Sequence, residues 1–287
     1  AKYTPEEKDH PDFYPDRVQA RQVKWINSML YPPPKLPRTE EDCAKLQTQW
    51  QQAKQNIPPE SHDRFDKFVR NLYYRRLVAV HPHDIGRCGL VRVHYDMQPG
   101  SGAVRVPQRR IAPEKLEALF KQCDDWQATN NIKPSVSPYS APPVIVPKPH
   151  TNNTQFRTAM DYRMLNTYME YDSFPLPRCD ELIASIKSAR YFSTIDLQSG
   201  FMQMENDPEA AHVTAFTVPG RHYEFNVLPF GVRNGPSVFQ RLMSIVLYQL
   251  VGNIALNFID DILVFAKDVD EMFFRLNVVF DRLDLAN

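Results

Sequence analysis

Two adjacent aspartates, Asp260 and Asp261, lie between apolar runs of strand length. Ile254-Ala255-Leu256-Asn257 and Phe258-Ile259 precede them, and Ile262-Leu263-Val264-Phe265 follows. Both runs are rich in strand formers, so the carboxylates belong at or beside the turn of a β-hairpin. A third aspartate, Asp196, ends the strand-like run Tyr191-Phe192-Ser193-Thr194-Ile195. If these strands lie side by side, three carboxylates converge, and their repulsion is costly unless divalent cations neutralise it. Mg²⁺ is the hard, oxygen-seeking ion that suits such a site. Two ions about 3.5–4 Å apart are the usual machinery of nucleotidyl transfer. The plainer alternative is turn chemistry, since Asp favours turns and stays solvated there. The pair alone does not decide between them.

The text around the carboxylates does. Ser135-Val136-Ser137-Pro138-Tyr139-Ser140-Ala141-Pro142-Pro143-Val144-Ile145-Val146-Pro147-Lys148 comes first, then Phe156-Arg157 and Met160-Asp161-Tyr162-Arg163-Met164-Leu165-Asn166. Phe174-Pro175-Leu176-Pro177-Arg178 and Phe192-Ser193-Thr194-Ile195-Asp196-Leu197-Gln198-Ser199-Gly200-Phe201 follow. Thr214-Ala215-Phe216-Thr217 leads on to Tyr223-Glu224-Phe225. Leu228-Pro229-Phe230-Gly231-Val232-Arg233-Asn234-Gly235-Pro236-Ser237-Val238-Phe239-Gln240 precedes the Asp-Asp hairpin. In these blocks and their order, residues from Ser135 to about Leu285 resemble the reverse transcriptases of gypsy-class LTR retrotransposons. A weaker likeness reaches back to Ile85 through Gln108-Arg109-Arg110-Ile111-Ala112-Pro113.

The resemblance implies an α+β fold, polymerase-like fingers and palm with an antiparallel sheet backed by helices. Asp196, Asp260 and Asp261 fall on the catalytic, metal-holding aspartates, which implies two Mg²⁺ ions, with Mn²⁺ as a substitute. Asp196 and Asp260 would bridge both ions, Asp261 taking a less direct part. Arg157 falls on the fingers arginine that grips the incoming triphosphate, and Lys148 on a nearby phosphate lysine. The loop after Lys148, Pro149-His150-Thr151-Asn152-Asn153-Thr154-Gln155, is longer than the family's Lys-Asp-Gly turn. Ser199 and Gly200 would offer backbone N–H groups to the triphosphate. Phe201 falls on the steric gate against a 2′-OH. Phe230 and Gly231 would lie beneath the templated nucleotide. Phe258 keeps the ring of the family's tyrosine and loses its hydroxyl. Asp161 and Arg163 are expected to pair within the fingers rather than touch substrate. Each has a simpler reading: a strand-end cap for Asp196, a solvated loop cation for Arg157, turn chemistry for Ser199 and Gly200, core for Phe201.

The chain has 287 residues with 43% hydrophobic content, enough for a real core. Prolines number 25 against 9 glycines, which predicts stiff, extended connections. The net charge is zero, so the chain is not a generally basic nucleic-acid binder. Charge is unevenly spread, however. Residues 70–150 hold 12 Lys and Arg against 6 Asp and Glu, and residues 151–287 hold 11 against 17. A basic fingers segment and an acidic palm suit a protein that holds phosphates with one part and metals with the other. Cys43, Cys88, Cys123 and Cys179 lie far apart without metal spacing and read as reduced thiols of an intracellular protein, cytoplasmic or nuclear. A cleaved organelle presequence would leave no trace. No apolar run reaches the roughly 18 residues of a membrane span.

Residues 1–75 read as a separate, Pro-rich, partly helical arm of no recognised family, and 76–287 as the fingers and palm. Tyr31-Pro32-Pro33-Pro34-Lys35-Leu36-Pro37 reads as polyproline II. Helices are expected from Glu40 to Ala53 and from Glu60 to Arg76, the second with Phe65, Phe68, Val69 and Leu72 on one side. The arm's aromatics, Phe13, Tyr14, Trp25, Tyr31 and Trp50, need a burying surface, which points to a protein partner or the fingers. Further on, a strand is expected at Leu90–Tyr95, a helix from Pro113, two strands at His212–Val218 and His222–Leu228, and a helix opened by Asn234 and Pro236. Asp268 and Glu271 read as a capping box for a last helix.

The sequence ends at Asn287, just where the resemblance would continue into a primer grip and thumb, so a truncated core with no thumb is expected. Three functions compete. An RNA-directed DNA polymerase core would join dNTPs to a primer 3′-OH on an RNA or DNA template. A noncatalytic, retroelement-derived structural or docking subunit would use residues 1–75 to bind a larger assembly. An RNA-synthesising palm enzyme is disfavoured by the aromatic Phe201. The intact aspartates favour the first reading, and the missing duplex-binding half favours the second.

Overall fold

The computed structural model describes residues 39–81, 84–147, 156–178, 180, 186 and 189–286. Its centre is a three-stranded antiparallel sheet in the order β5-β10-β9, formed by Tyr191–Asp196 (β5), Ala255–Phe258 (β9) and Asp261–Ala266 (β10). The runs that flank the Asp-Asp pair are thus the two arms of a hairpin. Side chains alternate across β5, with Tyr191, Ser193 and Ile195 turned inward and Phe192, Thr194 and Asp196 exposed. Ile262 and Val264 of β10 enter the core at 1% and 0% exposure. They meet Phe239, Leu242 and Val246 of helix α5, Gly235–Val246, and Met272, Leu276 and Val279 of helix α6, Val269–Ala286. These helices form because apolar residues recur every three or four positions. The expected capping box starts α6: the Glu271 N–H donates to Asp268 Oδ1 at 2.8 Å, and Glu271 Oε2 accepts from the Lys267 N–H at 2.6 Å.

The fingers side is built from three smaller sheets. Pro143–Pro147 (β3) pairs antiparallel with Phe156–Met160 (β4). Ile132–Pro134 (β2), Arg221–Phe225 (β8) and Phe216–Val218 (β7) form a sheet in the order β2-β8-β7. Cys88–Val93 (β1) runs parallel to Met204–Asn206 (β6). Helix α3, Pro113–Ala128, begins at the expected proline and buries Leu119, Cys123 and Trp126. Helix α4, Arg163–Tyr168, carries the Asp161-Tyr162-Arg163 block onward. Burial pushes the Cys88 thiol up to about 11 and that of Cys123 to about 12, so both stay protonated at neutral pH.

Three expected strands differ from what forms, β8 ending at Phe225 rather than Leu228. Ladder pairing of β1 spans Cys88–Val93 rather than Leu90–Tyr95, and Tyr95 instead sends its hydroxyl to Asn206 Oδ1 at 2.6 Å. His212–Val218 is a strand only from Phe216; Ala211–Thr214 is a 3-10 turn. Thr214 Oγ1 donates to Ala211 O at 2.7 Å and accepts from the Phe225 N–H at 3.0 Å. This local bonding replaces the ladder that alternation alone suggests.

The described part of the N-terminal arm, residues 39–75, packs against the last helix. Helix α1, Glu40–Lys54, packs on helix α2, His62–Tyr74, and Phe65 and Val69 of α2 cluster with Phe273 of α6. Phe68 sits between Phe273 and Phe280, with ring centroids 5.7 and 5.9 Å away. Arg75 spans Asp281 at 2.8 Å and Asp284 at 3.0 Å, and Arg64 pairs with Asp270. The amphipathic face of α2 thus finds its apolar partner, and its cations their carboxylates, on a helix some 200 residues away in sequence. The polyproline run and Phe13, Tyr14, Trp25 and Tyr31 lie outside the described residues. No described helix is long and apolar enough to cross a membrane.

Candidate active site

The carboxylates come together through strand register. Asp261, the first residue of β10, is the direct partner of Asp196, the last residue of β5. Directly opposed residues project from the same face about 4.5–5.5 Å apart at Cβ, and both aspartates are exposed. Asp260 occupies the turn one residue earlier and is half-buried. Its carbonyl accepts the Leu197 N–H at 3.3 Å, which ties the turn to the chain leaving β5. Thus one strand end, one strand start and one turn bring the three aspartates into a single neighbourhood.

Their donor set is all carboxylate oxygen on an exposed rim, the chemistry a hard divalent cation takes. Among the described residues no three acidic, histidine or cysteine side chains already close around a metal position. Asp196 and Asp261 form the pair that register fixes, and Asp260 would complete the set from the turn. Asp261, for which the resemblance implies the less direct part in holding the ions, stands opposite Asp196 in the ladder.

The segment after Asp196 turns sharply. Ser199 is left-handed, with φ 49° and ψ 48°, and starts a 3-10 turn over Gly200–Gln203. A Cβ on Gly200 would lie 2.9 Å from the Phe239 ring and 3.3 Å from Asp260 Cβ, so only glycine fits against both. This close approach is to protein. The Gly200 N–H donates to Leu197 O at 3.1 Å, and Gly200 is buried. In this structure the N–H expected to face a triphosphate is used inside the turn.

Phe201 follows, half-buried, its ring 5.6 Å from Phe230 and 5.5 Å from Phe239. Phe230 is 41% exposed and forms the outer edge of this aromatic group. Gly231 has φ +93°, and a Cβ there would meet Met160 O at 3.4 Å. Its carbonyl accepts Asn166 Nδ2 at 2.9 Å, while Asn166 Oδ1 accepts the Arg233 N–H at 2.9 Å. Asn166 thus pins the Phe230-Gly231 loop to α4. Phe258, 36% exposed, pairs with Asp261 from the other side.

On the fingers hairpin, Arg157 is exposed and directly opposite Val146. Lys148 and the loop 149–155 lie outside the described residues. Asp161 and Arg163 form the expected pair, through Nε at 2.8 Å and Nη2 at 2.6 Å. These guanidinium bonds hold the Asp161 carboxyl below the usual carboxylate range, although its partial burial opposes the shift.

Two residues that no sequence argument singled out complete the site. Gln240 of α5 and Asn257 of β9 are buried amides that bond to each other and to the Ile259 turn. The available signal was Asn257 itself, a lone amide in an apolar strand beside the carboxylates.

Comparison with known proteins identifies the family and the fold. Residues 146–286 match the family model described as reverse transcriptase (RNA-dependent DNA polymerase). The chain is 39% identical over 169 residues to the retrovirus-related Pol polyprotein from transposon opus of Drosophila melanogaster, a match covering 58% of the chain and 17% of that polyprotein. It is 39% identical over 158 residues to the corresponding polyprotein of transposon 297, covering 54% and 15%. The enzymatic polyprotein of cauliflower mosaic virus (strain Strasbourg) is 33% identical over 183 residues, covering 63% and 27%. The chain thus spans only a fraction of these relatives. Among solved structures, the protease-reverse transcriptase of prototype foamy virus superposes with TM-score 0.72 at 25% identity, covering 83% of this chain and 31% of that one. A foamy viral protease-reverse transcriptase bound to double-stranded DNA superposes with TM-score 0.75 at 23% identity, covering 90% and 44%. The fold is the α+β fingers and palm of these polymerases, and the chain carries a reverse transcriptase domain of the gypsy-class LTR retrotransposon kind.

Proposed function

We propose that the chain is the core of an RNA-directed DNA polymerase that joins dNTPs to a primer 3′-OH. The observation that carries this is the register pair Asp196–Asp261 with Asp260 on the adjoining turn. Two like charges held opposite each other are a standing cost, and a cation-dependent reaction explains why such an arrangement is useful. Divalent ions bound there would make the primer hydroxyl a better nucleophile and neutralise the leaving pyrophosphate.

The chain's own residues supply the rest. Asp196, Asp261 and Asp260 would hold the ions from one strand end, one strand start and one turn. Arg157 offers a rigid, exposed fork to the triphosphate from the fingers hairpin. Phe201, braced by Phe230 and Phe239, presents a ring edge where a ribose 2′-OH would have to fit. The template and primer are nucleic acid, as in the foamy viral structures solved with double-stranded DNA and with RNA/DNA hybrid.

Primer extension on an RNA template with Mg²⁺ tests the reading, with Asp260→Asn as the control. Mg²⁺-dependent extension by the unmodified chain and its loss in the variant are expected. A chain that extends no primer under any metal would instead be a retroelement-derived structural or docking subunit.

A further inference from the structure

The turn that carries Asp260 is held in a costly conformation by two buried amides. Ile259 has φ +55°, a left-handed backbone that a β-branched residue rarely adopts and that persists only where its surroundings impose it. Side chains grip both of its peptide groups. The Ile259 N–H donates to Gln240 Oε1 at 2.8 Å, and its carbonyl accepts from Asn257 Nδ2 at 2.8 Å. The same Nδ2 lies 3.3 Å from Asp261 O, and Gln240 Nε2 donates to Asn257 Oδ1 at 2.8 Å. The orientation of both amides follows from the chemistry. A peptide N–H only donates and a carbonyl only accepts, so Gln240 presents oxygen to one and Asn257 nitrogen to the other. Their remaining atoms then match each other. Gln240 is 7% and Asn257 1% exposed, so solvent is a poor substitute for either.

Asp260 has little freedom of its own. Its carbonyl is tied to the Leu197 N–H, and its Cβ faces the bare Cα of Gly200. The direction in which the Asp260 side chain leaves the backbone is therefore set by the turn, and the turn by Gln240 and Asn257. Amides are the residue types this needs. Each donates and accepts at once, and neither adds charge beside three carboxylates.

We propose that Gln240 and Asn257 are positioning residues that hold the Ile259 turn left-handed and so fix the Asp260 carboxylate before any metal arrives. The proposal rests on the polymerase reading for its purpose, not for its geometry. Gln240→Met keeps the length and removes the bonds. Native-state hydrogen exchange in the full chain is read at the Leu197 N–H, which bonds to Asp260 O and not to Gln240. Exchange there and at Ile259 is expected to quicken about tenfold or more, with the middle of α5 unchanged. Acceleration confined to Ile259, or spread evenly over α5, overturns the proposal.

Relieving the strain supplies the second arm. Glycine adopts positive φ freely, so in an Ile259→Gly background the effect of Gln240→Met should shrink to about twofold or less. An equal effect in both backgrounds contradicts the clamp. So does failure of both variants to fold, since the relieved turn no longer needs it. In primer extension, Gln240→Met should raise the half-saturating Mg²⁺ about tenfold and lower kcat, leaving KM for dNTP within about twofold. If the unmodified chain extends nothing, the polymerase reading falls and hydrogen exchange alone judges the clamp. If it extends primers while Gln240→Met keeps normal Mg²⁺ dependence and Leu197 exchange, the clamp is wrong and the polymerase reading stands.

Discussion

Asp196 and Asp261 stand directly opposite each other across β5 and β10, on the exposed face of a sheet whose other face is core. Directly opposed like charges cost roughly 0.2–1 kcal/mol. Asp261→Asn should therefore raise the stability of the metal-free chain by about that amount, and added Mg²⁺ should narrow the gap by stabilising only the unmodified chain. Urea unfolding with and without Mg²⁺ reads both effects. A metal-free variant less stable than its parent would contradict the pairing.

The ring group around Phe201 predicts sugar choice. Phe201 is held between Phe230 and Phe239 at 5.6 and 5.5 Å, so its ring cannot easily turn aside for a 2′-OH. Phe201→Ala should lower the preference for dNTPs over ribonucleotides by about tenfold or more in competing single incorporations. Equal use of both sugars by the unmodified chain would remove the gate assignment.

Glu205 predicts a pH dependence. It is 7% exposed, and burial raises its carboxyl above the usual range despite the opposing pull of Arg92 and Arg87. It lines a cavity of about 70 Å³ with Arg87, Lys133, Asn130 and Asn226. A folded value above the unfolded one favours the protonated form, so its contribution is fully present below the unfolded value of about 4.3 and is lost as pH rises through the folded one. Glu205→Gln removes that loss. The variant should be more stable than its parent near pH 7, with the advantage shrinking as pH falls towards 4. Thermal midpoints across that range check this; a constant offset would show that titration is not involved.

The contact between α2 and α6 predicts that residues 40–75 belong with the palm in solution. Phe68→Ala opens a gap between Phe273 and Phe280 and should cost about 2 kcal/mol, less than a fully buried phenylalanine because Phe68 is only partly covered. Limited proteolysis should leave α2 attached to the fragment carrying α6. A stable fragment beginning near Arg76 would restore the reading of a separate arm.

What the sequence made legible was local. The hairpin of β9 and β10, the end of β5, the capping box at Asp268 and the apolar stripes of α3 and α5 each follow from residues close together in the chain. What it hid was set by distant partners. The register that opposes Asp196 to Asp261 spans 65 positions, and nothing in either strand specifies it alone. Nothing near Arg75 in the chain points to Asp281 and Asp284, the carboxylates it pairs with. Gln240 sat inside a quoted block without a role, because only the fold shows that its amide reaches the Ile259 turn. Gly200 read as a triphosphate contact, and only the fold shows that Phe239 and Asp260 also crowd its Cα.

The most direct measurement is the single-turnover rate of dNTP addition to a primer on an RNA template, across a Mg²⁺ titration. The unmodified chain would be compared with Asp196→Asn, Asp260→Asn and Asp261→Asn. Rate constants of the unmodified chain should rise with Mg²⁺, and each variant should lose about a thousandfold or more, the scale at which a group that stabilises developing charge acts. Extension at undiminished rate by any of the three variants, or no extension by the unmodified chain at any Mg²⁺ concentration, would contradict the account.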